Sequence, residues 1–374
     1  MSDLSSVSAI ESIGGKTTSQ LPVDWYFDPR IYELEKRLLF DTGAQYVGHE
    51  LMTPETGDYQ SLAWTHNAKA LVRNTNGISL LGNICRHRQA VMLQGRGNSK
   101  NIVCPLHRWT YGLDGKLLGA PHFPQNPCLD LAQTPLTNWN GLLFAGQRDV
   151  ARDFAKLGVA SDLDFSGFMF DRVEIEEYHC NWKTFIEVYL EDYHVDPFHP
   201  GLGGFVNVAD LKWEMGDWYS VQTCGVKNGL AKPGSAIYKN WHEQVMRYRD
   251  GNTPAHGAIW LTYFPALMVE WYPHVLVVSN IIPRGPEACT NVIEFYYPED
   301  IVLFEREFIE AERAAYIETA HEDREICERM TAGRKALYLQ GTSDAGPYQS
   351  PMEDGMQHFH KFLRREIGPH WVVK

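Results

Sequence analysis

The chain has 374 residues, is 44% hydrophobic and carries a formal net charge of −13. That length suits two domains, and the apolar share is ample for buried cores. The acidic excess argues against nucleic acid or an anionic membrane as a partner, and no apolar run of about twenty residues is present to span a bilayer.

The N-terminus, Met1-Ser-Asp-Leu-Ser-Ser-Val-Ser, lacks the basic-then-apolar pattern of a signal peptide. Residues 1–20 contain Ser and Gly and are expected to be mobile. Pro29 to Phe40 reads as a helix. Residues 43–150 carry short β-type runs broken by Gly, Asn and Pro, such as Ala70–Arg73, Ile78–Leu81 and Gly141–Ala145. That texture predicts a small antiparallel β domain. Val173–Tyr178 reads as a strand and Lys183–Tyr193 as a helix. Trp260–Glu270, His274–Pro283 and Thr290–Tyr297 read as long neighbouring strands. Glu310–Ala336 is rich in Glu, Arg and Ala, lacks Pro and reads as a late helix. The expected class is α+β: an N-terminal antiparallel β domain over 43–150, then a domain over 151–374 with one central antiparallel sheet. Residues 1–42 form a leading segment whose helix packs on the second domain.

Within the β domain stand Cys85-Arg-His87 and, sixteen residues on, Cys104-Pro-Leu-His107. Soft thiolates and borderline imidazoles select zinc or an iron–sulfur cluster, not calcium or magnesium. Zinc sites usually pair Cys with Cys and His with His. Here each pair offers one of each. That suits a binuclear cluster whose one iron takes both cysteines and whose other iron takes both histidines. A structural zinc site is the alternative.

The second constellation is Asn181-Trp182-Lys183, then Glu187, Glu191, His194, Pro197 and His199. Glu187, Glu191 and His194 are spaced to share one helix face. Pro197 is expected to end or kink that helix and swing His199 back toward His194. Two imidazoles supply two ligands of a 2-His-1-carboxylate site, which leaves iron(II) open positions.

Both motifs, in this order, resemble Rieske non-haem iron oxygenases, the large-subunit group that includes ring-hydroxylating oxygenases and choline, glycine betaine and carnitine monooxygenases. The resemblance runs from about Trp25 to about Arg364. Leu106 and Arg108 depart from the usual Tyr before, and Gly after, the second cluster His. The resemblance implies a Rieske β-sandwich, a helix-grip catalytic domain, a [2Fe–2S] cluster, a mononuclear Fe(II) and O2 as co-substrate. It places the third iron ligand in Glu322-Asp323-x-x-Ile326-Cys327-Glu328, at Asp323, with Glu322 as the competitor. It implies a head-to-tail homo-oligomer, usually a trimer, in which Glu191 joins a neighbour's cluster to the iron. Glu187 is counted with it as a catalytic candidate. Many relatives carry Asp at the Glu191 position, and Glu resembles the branch acting on quaternary and N-methyl amines.

The chain has no G-x-G-x-x-G opening a helix after a strand, so electrons must come from a separate flavin/iron–sulfur reductase or a ferredoxin. The other five cysteines, Cys128, Cys180, Cys224, Cys289 and Cys327, are scattered as in a reduced cytoplasmic protein. Aromatics such as Trp260, Tyr263 and Trp271 are candidates for a substrate wall that holds a small quaternary-ammonium or N-methyl substrate by cation–π contacts. Monooxygenation or N-demethylation of such an amine is the expected reaction. Hydroxylation or dihydroxylation of an aromatic compound is the alternative. From another class, a non-oxygenase Rieske electron-transfer protein would leave the C-terminal two-thirds without a purpose.

Overall fold

The structure, a computed structural model, describes residues 19–371. The expected mobility of the leading residues falls almost wholly outside them. The chain forms two compact units, Thr42–Val150 and the remainder, the remainder joining the segment up to Asp41 to everything from Ala151 onward.

The smaller unit is built from three short antiparallel sheets. Lys69–Asn74 and Gly77–Gly82 form the hairpin at the centre of its five-stranded sheet. Ile102–Val103, Thr110–Tyr111 and Leu117–Gly119 form a separate three-stranded sheet. Ala70, Val72, Leu81, Ile102, Trp109 and Tyr111 pack together, and Cys85 and Cys104 belong to the same core. The cluster loops therefore spring from a rigid, buried base.

The larger unit has one seven-stranded antiparallel sheet. In chain order its strands are β1 (Phe168–Tyr178), β2 (Val206–Met215), β3 (Tyr219–Val226), β4 (Ala258–Tyr263), β5 (Leu267–Tyr272), β6 (Val275–Gly285) and β7 (Ala288–Pro298). Their spatial order is β1-β7-β6-β5-β4-β3-β2. The run Trp260–Glu270 is two strands rather than one. Pro265 has no N–H for the ladder, and the chain turns there between β4 and β5.

Helices cover one face of this sheet. They are α1 (Trp182–Tyr189), α2 (Val195–Phe198), α3 (Pro200–Phe205), α4 (Ala236–Tyr248), α5 (Arg306–Gln340) and α6 (Asp354–Glu366). Helix α5 buries Phe308, Ile309, Ala311, Glu312, Ala315, Cys327 and Thr331, a stripe at helical spacing. It stops at Gly341, whose φ of 68° is the left-handed cap that glycine adopts without strain. Phe205, Trp241, Trp260, Val277, Phe295 and Phe308 are among the residues that join sheet and helices in one core.

The leading helix covers Pro29–Glu35 and widens into a π-helical turn over Lys36–Asp41, which keeps Leu39 buried. Glu35 explains the Asn-Trp-Lys signature. Its carboxylate accepts from Trp182 Nε1 at 2.9 Å and from Lys183 Nζ at 2.7 Å. Asn181 caps α1 by accepting from the Lys183 N–H at 2.9 Å. The signature thus holds α1 in place.

Candidate active site

Helix α1 ends at Tyr189, and Leu190 leaves the helical region. The predicted continuation to Tyr193 does not form, because Glu191 Oε2 instead accepts the backbone N–H of His194 at 3.1 Å and caps the next turn. Glu187 and His194 therefore do not share a helix face. His194 directly precedes α2, and His199 links α2 to α3. Pro197 lies inside the four-residue α2, and the chain turns at His199 rather than at the proline.

The turn brings three donors together. His194 Nε2 and His199 Nε2 are 3.0 Å apart. Asp323 Oδ1, from α5, lies 3.0 Å from the His199 nitrogen and 3.6 Å from the His194 nitrogen. The outer nitrogens are each tied to a carboxylate. Glu191 Oε1 is 2.5 Å from His194 Nδ1, and Glu322 Oε2 is 2.7 Å from His199 Nδ1. A carboxylate at Nδ1 keeps the ring proton there and turns the Nε2 lone pair inward, as metal-binding histidines require. Burial works against a charge on His194, but Asp323 and Glu191 outweigh it and raise its pKa to about 10. Burial likewise opposes ionisation of Asp323, yet His194 and His199 hold its pKa down to about 2. Such a field favours a cation. Among the described residues, His194, His199 and Asp323 are the group that could hold a metal ion.

The triad opens on a cavity between the sheet and α3, α4 and α5. Its sheet wall includes Trp260, Met268, Glu270 and Tyr272, and its helix wall includes Trp241, Glu312 and Tyr316. Among the described residues, no Lys or Arg lines it. Tyr263 and Trp271 do not reach it. Trp271 pairs with Ile259 and Trp260 with Glu270, so the two-residue period sends Tyr263 and Trp271 to the opposite face. Tyr263 there donates to Asp153 at 2.6 Å. The acid Glu270 escaped the sequence reading. Its signal was an acid directly opposite Trp260 in the β4–β5 pair.

The two Cys/His loops of the smaller unit close alike. The Cys85 N–H donates to Ala90 O and the Gln89 N–H to Cys85 O. The Cys104 N–H donates to Trp109 O and the Arg108 N–H to Cys104 O. Gln89 and Arg108 hold the matching left-handed positions, at φ 54° and 61°. Arg108 thus stands where the left-handed turn would suit glycine. The thiols of Cys85 and Cys104 are buried. Burial alone would push the Cys85 pKa up, but the His87 N–H, Cys104 and Tyr111 lower it. The His87 and His107 rings lie together, centroids 4.7 Å apart, and His107 is exposed. His87 stacks on Trp109, and its Nδ1 is buried without a hydrogen-bond partner. The donors thus separate into a sulfur side and a nitrogen side, which fits two irons better than one tetrahedral zinc.

Residues 44–135 match the Rieske [2Fe–2S] domain, and residues 167–368 match the ring hydroxylating alpha subunit catalytic domain. The chain belongs to the Rieske ring-hydroxylating alpha-subunit family. Putrescine 2-hydroxylase of Ralstonia nicotianae is 63% identical over 98% of this chain and 99% of its own length. Putrescine 2-hydroxylase of Bordetella bronchiseptica is 55% identical over 94% of this chain and 85% of its own. The fold matches a quaternary ammonium Rieske monooxygenase solved with L-carnitine, with a TM-score of 0.72, 18% identity and coverage of 94% and 96%. The protein is thus a Rieske non-haem iron oxygenase, an O2-dependent oxidoreductase with a [2Fe–2S] cluster and a mononuclear iron.

Glu187 stands outside this oxygenase's cavity. Its buried carboxylate lies 2.7 Å from Arg334, 2.9 Å from His360 Nε2 and 2.5 Å from the Tyr26 hydroxyl. Burial raises its pKa, but Arg334, His360 and Tyr26 together hold it at about 2. Its stabilising contribution is full above the ordinary value of 4.5 and is lost as pH falls toward about 2. Glu187→Gln leaves Arg334 without its counter-charge. We expect a loss of about 3 kcal/mol, read as a lower urea midpoint, while the Rieske absorption of the folded protein is unchanged.

Proposed function

We propose that this oxygenase hydroxylates a carbon of a small aliphatic amine, of the putrescine type, with electrons from a separate reductase or ferredoxin. The observation that carries this reading is the cavity at the His194–His199–Asp323 triad. It is lined by aromatic and aliphatic side chains and holds the buried carboxylates of Glu270 and Glu312, and among the described residues no Lys or Arg lines it. Such a wall attracts a protonated amine and repels an acid. The two putrescine 2-hydroxylases, alike over nearly the whole chain, support the same choice.

In this reading His194, His199 and Asp323 hold the mononuclear iron, and Cys85, His87, Cys104 and His107 hold the cluster. The bound centres supply one-electron delivery and oxygen activation. The chain's own side chains do the rest. Glu191 and Glu322 keep protons on the outer nitrogens of His194 and His199. Trp241, Trp260 and Phe205 exclude water around the substrate. Glu191 is proposed to link the iron site to the cluster of a neighbouring subunit in a head-to-tail ring, a trimer in its simplest form. The five remaining cysteines are free thiols, with the Cys180 and Cys289 sulfurs 3.8 Å apart. Their scattered spacing along the sequence supports a reducing, cytoplasmic setting. No helix among the described residues is long and apolar enough to cross a membrane.

N-demethylation of a quaternary amine is the second reading. It rests on Glu191 and on the Trp260–Tyr272 wall. A quaternary ammonium cannot donate a hydrogen bond, so the carboxylate in that wall favours a primary amine. The test is a panel of 1,4-diaminobutane, a monoamine, carnitine, choline and an aromatic hydrocarbon, run with a surrogate reductase. We expect oxygen uptake with the diamine at least tenfold faster than with the others, and a product sixteen mass units heavier than the diamine. Formaldehyde release with choline or carnitine, and no uptake with the diamine, would favour the second reading.

A further inference from the structure

We propose that Glu270 is the ammonium anchor of the cavity, with Glu312 as its second carboxylate, and that this pair decides which part of the substrate faces the iron ligands. The inference rests on the amine reading above. It assigns a specificity role to two residues that lie outside the iron triad and its hydrogen-bonded carboxylates.

Glu270 sits on β5, where alternation turns Met268, Glu270 and Tyr272 toward the cavity. Its carboxylate is fixed in place. Tyr272 donates to it at 2.8 Å and Tyr316 at 3.0 Å, and Trp260 Nε1 donates to the Tyr272 oxygen at 3.0 Å. The residue is 2% exposed, and the groups that act on it are Tyr272, Tyr316 and the Asp323 charge, with no Lys, Arg or His among them. A buried carboxylate with phenol donors alone lacks a counter-charge. Burial accordingly lifts its pKa to about 7, against the pull of Tyr272 and Tyr316. Glu312 repeats the pattern. It is 3% exposed and accepts from the Tyr297 hydroxyl at 2.5 Å. Burial raises its pKa to about 8, and the Glu270 charge adds to the rise. An alkylammonium brings one positive charge and three donors, which is what two such acids lack.

The register along α5 supplies the ruler. Glu312, Tyr316, Thr319 and Asp323 recur on its cavity face. Tyr316, which holds Glu270, lies seven residues before Asp323, roughly 10 Å along the axis. Helical side chains lean toward the N-terminus, and Tyr316 and Asp323 lean alike, so the separation of their ends stays of that order. An ammonium held at Glu270 therefore presents chain carbons, not its own nitrogen, to the iron ligands.

The test uses the iron-loaded holoenzyme and its Glu270→Gln, Glu270→Asp and Glu312→Gln variants, each checked for unchanged iron content and Rieske absorption. Calorimetric titration with 1,4-diaminobutane gives affinity, and turnover with a surrogate reductase gives KM, kcat and product identity. Glu270→Gln should weaken binding and raise KM by on the order of a hundredfold, and Glu312→Gln by about tenfold, since each leaves less negative charge for a buried ammonium. Glu270→Asp keeps the charge but draws it back, so affinity should largely return while the ratio of hydroxylated carbons, or the share of uncoupled oxygen uptake, changes. Wild-type affinity and product in Glu270→Gln would overturn the anchor and leave amine hydroxylation standing. Failure of the wild type itself to bind or oxidise any amine would overturn both.

Discussion

Alanine at His194, His199 or Asp323 will remove the mononuclear iron and abolish turnover, while the Rieske absorption stays at full intensity. The expectation follows from the donor geometry. Three atoms from three residues converge within 4.8 Å of one another, and three protein ligands are what hold iron(II) while leaving positions open. The Cys85 and Cys104 core belongs to a separate compact unit. Iron analysis should fall by one atom per chain, from three to two. Glu322→Ala separates ligand from supporting carboxylate. It removes the partner of His199 Nδ1 rather than an inward donor. Iron affinity should then drop by roughly 10–100-fold without complete loss. Full activity in Asp323→Ala, with none in Glu322→Ala, would exchange the two roles.

Glu191→Gln is the second large effect. Glu191 makes two contacts with His194, one to its Nδ1 and one to its backbone N–H. Glutamine keeps the size but removes the charge and one acceptor. We expect both metal centres to remain loaded, while reoxidation of the reduced cluster in a single turnover slows by on the order of a hundredfold. A merely structural role would change iron content or stability and leave that rate intact. If the proposed head-to-tail ring forms, mixing Cys85→Ser subunits with His194→Ala subunits should restore part of the activity. Mixed rings that form but stay inactive would exclude a route between subunits.

The candidate metal ligands were legible because metal chemistry constrains residue type and spacing together. Two Cys/His pairs and a His pair need no tertiary knowledge to be recognised, whereas Asp323 came only from the family resemblance. Their supports were less legible. Asn181, Trp182 and Lys183 drew attention as a signature, but the acid they grip, Glu35, lies almost 150 positions earlier. Glu187 matched a helical face that the chain abandons at Leu190. The substrate wall failed on parity: Trp260 points inward, whereas Tyr263 and Trp271 lie on the alternate positions. The break at Pro265 resets the strand, so the face of Trp271 follows from the β4–β5 register and not from counting along one run. Glu270 and Glu312 were hidden for a similar reason. An acid on a strand or a charged helix reads as solvated until the opposing layer is known to cover it.

The most direct measurement is turnover of 1,4-diaminobutane under 18O2 with a surrogate reductase, followed by mass analysis of the product. Hydroxylation predicts an intact four-carbon diamine carrying one oxygen atom, with 18O in nearly every product molecule. A product that has lost a nitrogen or a carbon, or a hydroxyl group drawn from water, would contradict it.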